Sequence, residues 1–338
     1  MGCSNVSRGG AKKQHNSENV ELDKGEKHSE KGKKPDINVE YIHMFDDEDP
    51  TKLLIYSLSE KSLRIIQLND IPILKEFDSM QVGERIFICG GEDLSSKYLN
   101  LTYEVNESKP EFIERCKMQL ARSQHSLAYL SKFIYCAGGC DESGLLDLCE
   151  KYNIHTDKWE SFPCLNEKKS SISLCSFKPN YLFCIGGENI AGDVATIEMI
   201  NTGNIEEHLS LELISKKETA DLDTNRKVEE ELWIIIKLDH NQGWGPRNKV
   251  GCIQIAHQIL IFGGDFEGDD IKQSFLFNPM ERRIVKLDAE LEKGDWFGNR
   301  KGAVVPEKME IIIFGLPGFL HRYNFQQQTW NMDLVETQ

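Results

Sequence analysis

The chain has 338 residues, 39% hydrophobic and 28% charged, which is enough apolar material for a large core and too much for a disordered polymer. Its net charge of −15 becomes −17 beyond Ile37, since residues 1–37 carry eight Lys/Arg against six Asp/Glu; such a body repels phosphate backbones and anionic lipid, which argues against nucleic-acid partners and simple electrostatic adsorption. No apolar run is longer than a strand, Leu232 to Ile236 being the longest, and residues 1–37 lack the apolar stretch of a secretory signal, so the ten cysteines read as reduced thiols of a cytosolic protein.

The first predicted element is a disordered tail over residues 1–37. It opens Met1-Gly2-Cys3-Ser4, which resembles an N-myristoylation site: loss of Met1 leaves Gly2 as the acylated terminus, and Cys3 is free to take a palmitoyl chain. Val6 stands where Ser or Thr is usual, with Ser7 one place late. One myristoyl chain gives a membrane association constant of only about 10⁴ M⁻¹, so stable residence needs the second chain at Cys3, helped by Arg8, Lys12 and Lys13 near anionic lipid.

From residue 38 to 335 the chain repeats. Short strands rich in Ile, Phe and Tyr end in glycine pairs: Arg85 to Gly90-Gly91, Phe133 to Gly138-Gly139, Tyr181 to Gly186-Gly187 and Gln258 to Gly263-Gly264. The second glycines are 48, 48 and 77 residues apart, the last interval being one repeat plus an insertion at about 204–231. A degenerate copy, Glu310 to Gly315, carries Leu316 where the second glycine belongs, and Tyr41 to Phe45 forms a fainter first copy. A period near ~50 residues is that of kelch repeats. Paired glycines suit a strand end where backbones crowd and the chain turns through conformations closed to other residues.

The third unit adds Tyr152-Asn153 and Trp159 after its glycines, with Arg122 and His125 sixteen and thirteen residues before Gly138. The last unit repeats Tyr323-Asn324 and Trp330, Arg247 lies sixteen residues before Gly263, and Lys169 and Arg300 hold comparable places. This resembles the kelch pattern of glycine pair, Tyr-Asp, Trp and a preceding Arg-x-x-His. The resemblance implies an all-β, six-bladed β-propeller with the insertion in its fourth blade, five complete blades being the fallback because the first unit lacks glycines and an obvious innermost strand. It also implies that the loops after the glycine pairs share one face with the segments leading into the Arg-x-x-His strands.

That face is the predicted contact surface. Carboxylates from Asp46 to Asp49, Glu92, Asp93, Asp141, Glu142, Glu188, Asp193, Asp265, Glu267, Asp269 and Asp270 form an acidic rim, and Arg122, Lys168, Lys169, Arg247 and Arg300 are basic points within it. Such a rim favours a partner with a basic segment.

Other chemistry is poorly supported. Cys136, Cys140, Cys149 and Cys164 lack zinc-ligand spacing, and Cys89, Cys136 and Cys184 recur inside the same strand of successive repeats, as buried small residues do. The Asp265–Asp270 loop lacks the glycine and terminal Glu of a calcium loop. His125 fits the repeat and is read as a structural hydrogen-bonding residue. No metal, cofactor, catalytic residue or phosphate loop is expected. The reading is a non-catalytic scaffold or adaptor, expected to be monomeric and held by acyl chains at the cytosolic face of a membrane. A soluble cytosolic adaptor, including a ubiquitin-ligase substrate receptor, is the nearer alternative. A propeller enzyme such as a copper oxidase or sugar mutarotase is the distant one.

Overall fold

The computed structural model describes residues 41–46, 49–68, 74–106, 109–203, 205, 232–238, 243–291, 302–305, 310–314 and 319–335. Two units divide the chain, Met1–Asp36 and Ile37–Gln338. The predicted tail with Gly2 and Cys3, most of the 204–231 insertion, Arg300 and Gly315 lie outside the described residues, and the fold is that of the second unit.

Six antiparallel sheets follow one another in sequence. Blade 1 has three strands among the described residues, Tyr41–Phe45, Lys52–Ser57 and Ser62–Gln67. The others have four: Asp78–Val82, Arg85–Cys89, Thr102–Asn106 and Lys109–Glu114 in blade 2, and Ser126–Leu130, Phe133–Ala137, Cys149–Asn153 and Lys158–Phe162 in blade 3. Blade 4 comprises Ser173–Phe177, Tyr181–Ile185, Ile197–Asn201 and Ile234–Ile235, blade 5 Gly251–Ile255, Gln258–Phe262, Ser274–Asn278 and Arg283–Lys286. Blade 6 comprises Gly302–Val305, Glu310–Phe314, Phe319–Asn324 and Thr329–Leu334. First strands of successive blades from 2 to 6 touch one another, which places them nearest the axis.

Each sheet is two-faced, and its side chains alternate between two neighbours. In Phe133–Ala137, Ile134 and Cys136 pack toward blade 2, while Phe133, Tyr135 and Ala137 pack toward blade 4. This is why the glycine-ending strands are apolar throughout rather than alternating: both of their faces are covered. The core is therefore divided into six clusters, one for each blade interface. The sixth closes the ring, with Ile42, Met44, Leu54, Tyr56 and Leu63 of blade 1 packing on Ile312 and Leu320 of blade 6. No single blade buries its own apolar surface, so stability is shared between neighbours.

Polar cross-links reinforce the apolar seams. Asp78 accepts from the Leu127 amide at 2.7 Å, Ser126 Oγ accepts from the Leu174 amide at 3.0 Å, and Ser173 Oγ donates to the Val250 carbonyl. On the outer side, the Trp159 indole donates to the Cys116 carbonyl at 3.0 Å, tying the fourth strand of blade 3 to the preceding linker. Trp233 does the same in blade 4, donating to the Pro163 carbonyl at 2.9 Å. Met199 pairs with Ile234, so Trp233 stands opposite Ile200 as Trp159 stands opposite Tyr152 and Trp330 opposite Tyr323.

One buried titratable group gives the fold a pH dependence. His321 is 1% exposed, and desolvation lowers its pKa from 6.5 to about 4. The unfolded chain then takes up the proton first, so this contribution to stability is complete above pH ~6.5 and is lost as pH falls toward ~4, at about 1.4 kcal/mol per unit and about 3 kcal/mol in all. Urea melts between pH 7.5 and 4.5 are expected to show that slope, and His321→Gln to flatten it.

Candidate functional site

The glycine pairs build one face of the propeller. Both members of each pair have positive φ, for example +60° and +96° at Gly138 and Gly139, and in three of the pairs the second glycine donates its amide to the backbone of the next blade. Gly91 donates to the Arg122 carbonyl at 2.8 Å, Gly139 to that of Lys169 at 2.8 Å, and Gly187 to that of Arg247 at 3.0 Å. After the pair the chain makes a short hairpin, Cys140–Leu145, Glu188–Asp193 or Asp265–Asp270 in blades 3, 4 and 5. Each hairpin is pinned to the segment entering its own blade through two backbone bonds, Ser123 with Cys140, Ser170 with Glu188 and Asn248 with Asp265. Post-glycine hairpins and strand-entry segments thus lie together.

One residue further on, Glu76, Gln124, Ser171 and Lys249 all take left-handed conformations, with φ of 50°, 53°, 51° and 48°. Their amides link blade to blade around the axis: Gln124 to the Glu76 carbonyl at 2.9 Å, Ser171 to that of Gln124 at 2.8 Å and Lys249 to that of Ser171 at 2.8 Å. Lys249 and Glu76 form an ion pair at 3.9 Å between blades 5 and 2, with both side chains more than 40% exposed. The face consequently has a polar inner ring and an outer ring of hairpins.

The outer ring is acidic, as the sequence predicts, but its carboxylates differ in availability. Asp193 is engaged, accepting from Asn248 at 2.6 Å and from the Glu267 amide at 2.9 Å, and Asp265 accepts from the Gly268 amide at 2.9 Å. Asp93 is held below the usual carboxylate range by hydrogen bonds from Ser95 and Lys97. Glu142, Glu188, Glu267 and Asp269 are exposed. Three apolar side chains also stand out of these loops: Ile190 at 99% exposure, Leu94 at 66% and Phe266 at 38%. Neither the glycine period nor the charge pattern points to them; the signal available is an isolated apolar residue in each post-glycine loop.

Of the expected basic points, Lys168 is exposed and Arg300 lies outside the described residues, while the other three are not on the surface. Arg122 is fully buried, its guanidinium donating to the Gly138 carbonyl at 2.9 Å, the Leu148 carbonyl at 2.6 Å and Glu150 at 2.8 Å. Lys169 is buried with Thr196 at 3.2 Å and in contact with Glu198. Arg247 is 3% exposed. These side chains turn into the blade while only their carbonyls serve the glycine pairs. Lys249, two residues after Arg247, joins Lys168 as an exposed cation of the face.

His125 is buried against the glycines, and a methyl group at Gly90 would lie 2.6 Å from its Cε1. The recurring thiols are core residues: burial pushes Cys136 and Cys184 up to about 12, and Cys89 well above the ordinary thiol value, which leaves them protonated and inert at neutral pH. Among the described residues no three His, Cys, Asp or Glu side chains are placed to hold a metal ion, and no helix is long and apolar enough to cross a membrane.

Comparison with known proteins agrees with this architecture. The kelch motif model matches residues 121–166, the third blade with its entry segment. Kelch repeat and BTB domain-containing protein 2 of cowpox virus (strain Brighton Red) is 26% identical over 155 residues, 46% of this chain and 28% of that protein. Kelch-like protein 41a of Danio rerio is 30% identical over 105 residues, 31% of this chain and 17% of its own length. Kelch-like protein 40 of Mus musculus is 30% identical over 118 residues, 34% and 19% of the two chains. The matched stretch is thus under a third of each relative. With six sheets closed by six shared cores, glycine pairs bonded to the next blade and the motif matched in the third, the chain is a six-bladed β-propeller that carries a kelch motif.

Proposed function

We propose that the propeller is a non-catalytic protein-interaction scaffold whose contact surface is the post-glycine face. The observation that carries this is the placement of Ile190, 99% exposed, at a hairpin tip among exposed carboxylates. An isolated apolar side chain held out by a rigid hairpin costs little stability and supplies a contact that excludes water when covered. Leu94 and Phe266 extend the same pattern around the face, and the acidic ring favours a partner bearing basic residues and speeds its approach. Ile190→Asp is expected to change stability by less than about 0.5 kcal/mol and to weaken partner binding about tenfold. Binding of Lys/Arg-rich peptides with one large apolar residue, followed by fluorescence anisotropy at 50 and 300 mM salt, checks both terms. Equal affinity for the parent and the variant overturns the assignment of the face.

The scaffold is proposed to work at the cytosolic side of a membrane, tethered through Gly2 and Cys3. The support is the Met1-Gly2-Cys3 sequence together with the need for two acyl chains in stable anchoring. Metabolic labelling with an alkynyl myristate is expected to mark the parent chain and not Gly2→Ala, and Cys3→Ser is expected to shift labelled protein from the membrane to the soluble fraction. Label unchanged by Gly2→Ala leaves the soluble adaptor as the reading.

A further inference from the structure

Blades 3, 4 and 5 each bring a basic side chain to the same internal point, but only two of them provide an acid for it. Glu150 pairs with Cys136, Glu198 with Cys184 and Phe275 with Ile261 in equivalent registers. Glu150 meets Arg122 and Glu198 meets Lys169; opposite Arg247 stands the phenyl ring of Phe275. Arg247 is buried nonetheless. Its Nε donates to the Gly245 carbonyl at 3.0 Å, the rings of Trp244 and Phe275 lie 4.2 and 4.6 Å from its guanidinium, and its Nη1 has no hydrogen-bond partner among the described residues. Desolvation pulls its pKa down to about 10, so it remains a cation at neutral pH. At Arg122, by contrast, desolvation is outweighed by Cys136 and Glu150 and the pKa rises.

Arg247 lines a pocket of about 480 Å³ on the post-glycine face, with Phe266, Asp269, Lys272, Gln273 and Glu290 among its other walls. We propose that this pocket binds the carboxylate of a ligand, which completes at Arg247 the ion pair that Glu150 and Glu198 complete within the protein. The two aromatic rings cover the guanidinium, fix its plane and lower the polarity around it, conditions under which a charge-assisted hydrogen bond to a carboxylate is strong. Asp269, Asp270 and Glu290 disfavour polyanions such as phosphate and favour a carboxylate carried beside a positive charge. An acidic residue flanked by lysine in a partner peptide has that chemistry, and so does a free amino acid; the peptide source rests on the reading of this face as a protein-contact surface.

The test follows the Arg247 Nε–Hε signal by ¹⁵N NMR in the full chain during titration with acetate, free glutamate, N-acetyl-Lys-Glu-Lys amide, phosphate and chloride. A saturable shift is expected with the carboxylates, with the peptide or glutamate binding at least about tenfold more tightly than acetate and no saturation by phosphate or chloride; whichever of the two binds more tightly identifies the source. Phe275→Glu, which supplies the internal acid, is expected to abolish the response. Arg247→Lys retains the charge without the planar fork and is expected to weaken binding about tenfold, measured by calorimetry, which keeps the test alive if Phe275→Glu does not fold. No saturation in the parent, undiminished binding by folded Phe275→Glu, or equal binding of chloride overturns the proposal. Ile190→Asp is expected to leave the acetate titration unchanged, so failure of the pocket and failure of the interaction face are separable.

Discussion

Replacing Glu150 by alanine is expected to destabilise the protein by about 3–5 kcal/mol, the cost of leaving a buried charge without its counter-ion. Arg122 and Glu150 are 0% and 4% exposed at the side chain and 2.8 Å apart, so water cannot take over the role of the lost carboxylate. Glu150 also accepts from the Gln119 amide at 2.7 Å and from that of Leu120 at 3.3 Å, and both amides lose their acceptor in the variant. Arg122 is held in place by the Gly138 and Leu148 carbonyls, which prevents it from swinging to solvent.

The decisive comparison is the double variant Arg122→Leu/Glu150→Tyr. Leu74 and Tyr103 occupy these positions in blade 2, where Leu74 is buried, so the fold already accommodates the apolar pair. Removing both charges is expected to recover more than half of the loss, because replacing a buried ion pair by packed side chains is often neutral. Urea denaturation of the parent, the single variant and the double variant measures the difference. A double variant less stable than Glu150→Ala would show that the pair contributes net attraction beyond its own desolvation.

The six-blade architecture was legible because the strand before each glycine pair is buried on both faces and is therefore apolar at consecutive positions, a pattern surface loops do not imitate. Cys89, Cys136 and Cys184 recur for the same reason and are all buried. Trp233 is hidden from the repeat because the insertion moves it out of period: Trp159 lies 20 residues after Gly139, but Trp233 lies 46 after Gly187. Spacing places Arg122, Lys169 and Arg247 at the start of their blades without showing which way the side chains turn. A signal for that does exist. Glu150 and Glu198 stand eleven residues after the second glycine of their pairs, and Phe275 stands eleven after Gly264; a periodic acid in register with a periodic base indicates an internal pair, and its interruption in blade 5 marks the exception. Ring closure was illegible for a different reason. It depends on Ile42, Met44 and Leu54 meeting Ile312 and Leu320, contacts between chain ends that no local period encodes.

Gly186→Ala is expected to cost about 2–5 kcal/mol, and the seam between blades 4 and 5 is where the damage falls. Two effects combine. At φ +61° a side chain pushes the residue into a conformation unfavourable by about 1–2 kcal/mol for an L-residue. The added Cβ would also lie 2.3 Å from the Arg247 carbonyl oxygen, and that oxygen is fixed because it accepts the Gly187 amide at 3.0 Å. Relief requires the two backbones to part, which adds an overpacking cost of about 1–3 kcal/mol. Gly83→Ala provides the control, since Gly83 has φ +65° with nothing within 4 Å of an added methyl group; it carries the conformational cost without the collision. Thermal melts are expected to show a substantially larger drop for Gly186→Ala than for Gly83→Ala. Hydrogen exchange in Gly186→Ala is expected to quicken first at the Gly187 and Lys249 amides. Equal losses in the two variants would mean that backbone conformation, and not the approach of neighbouring blades, is what requires glycine at these strand ends.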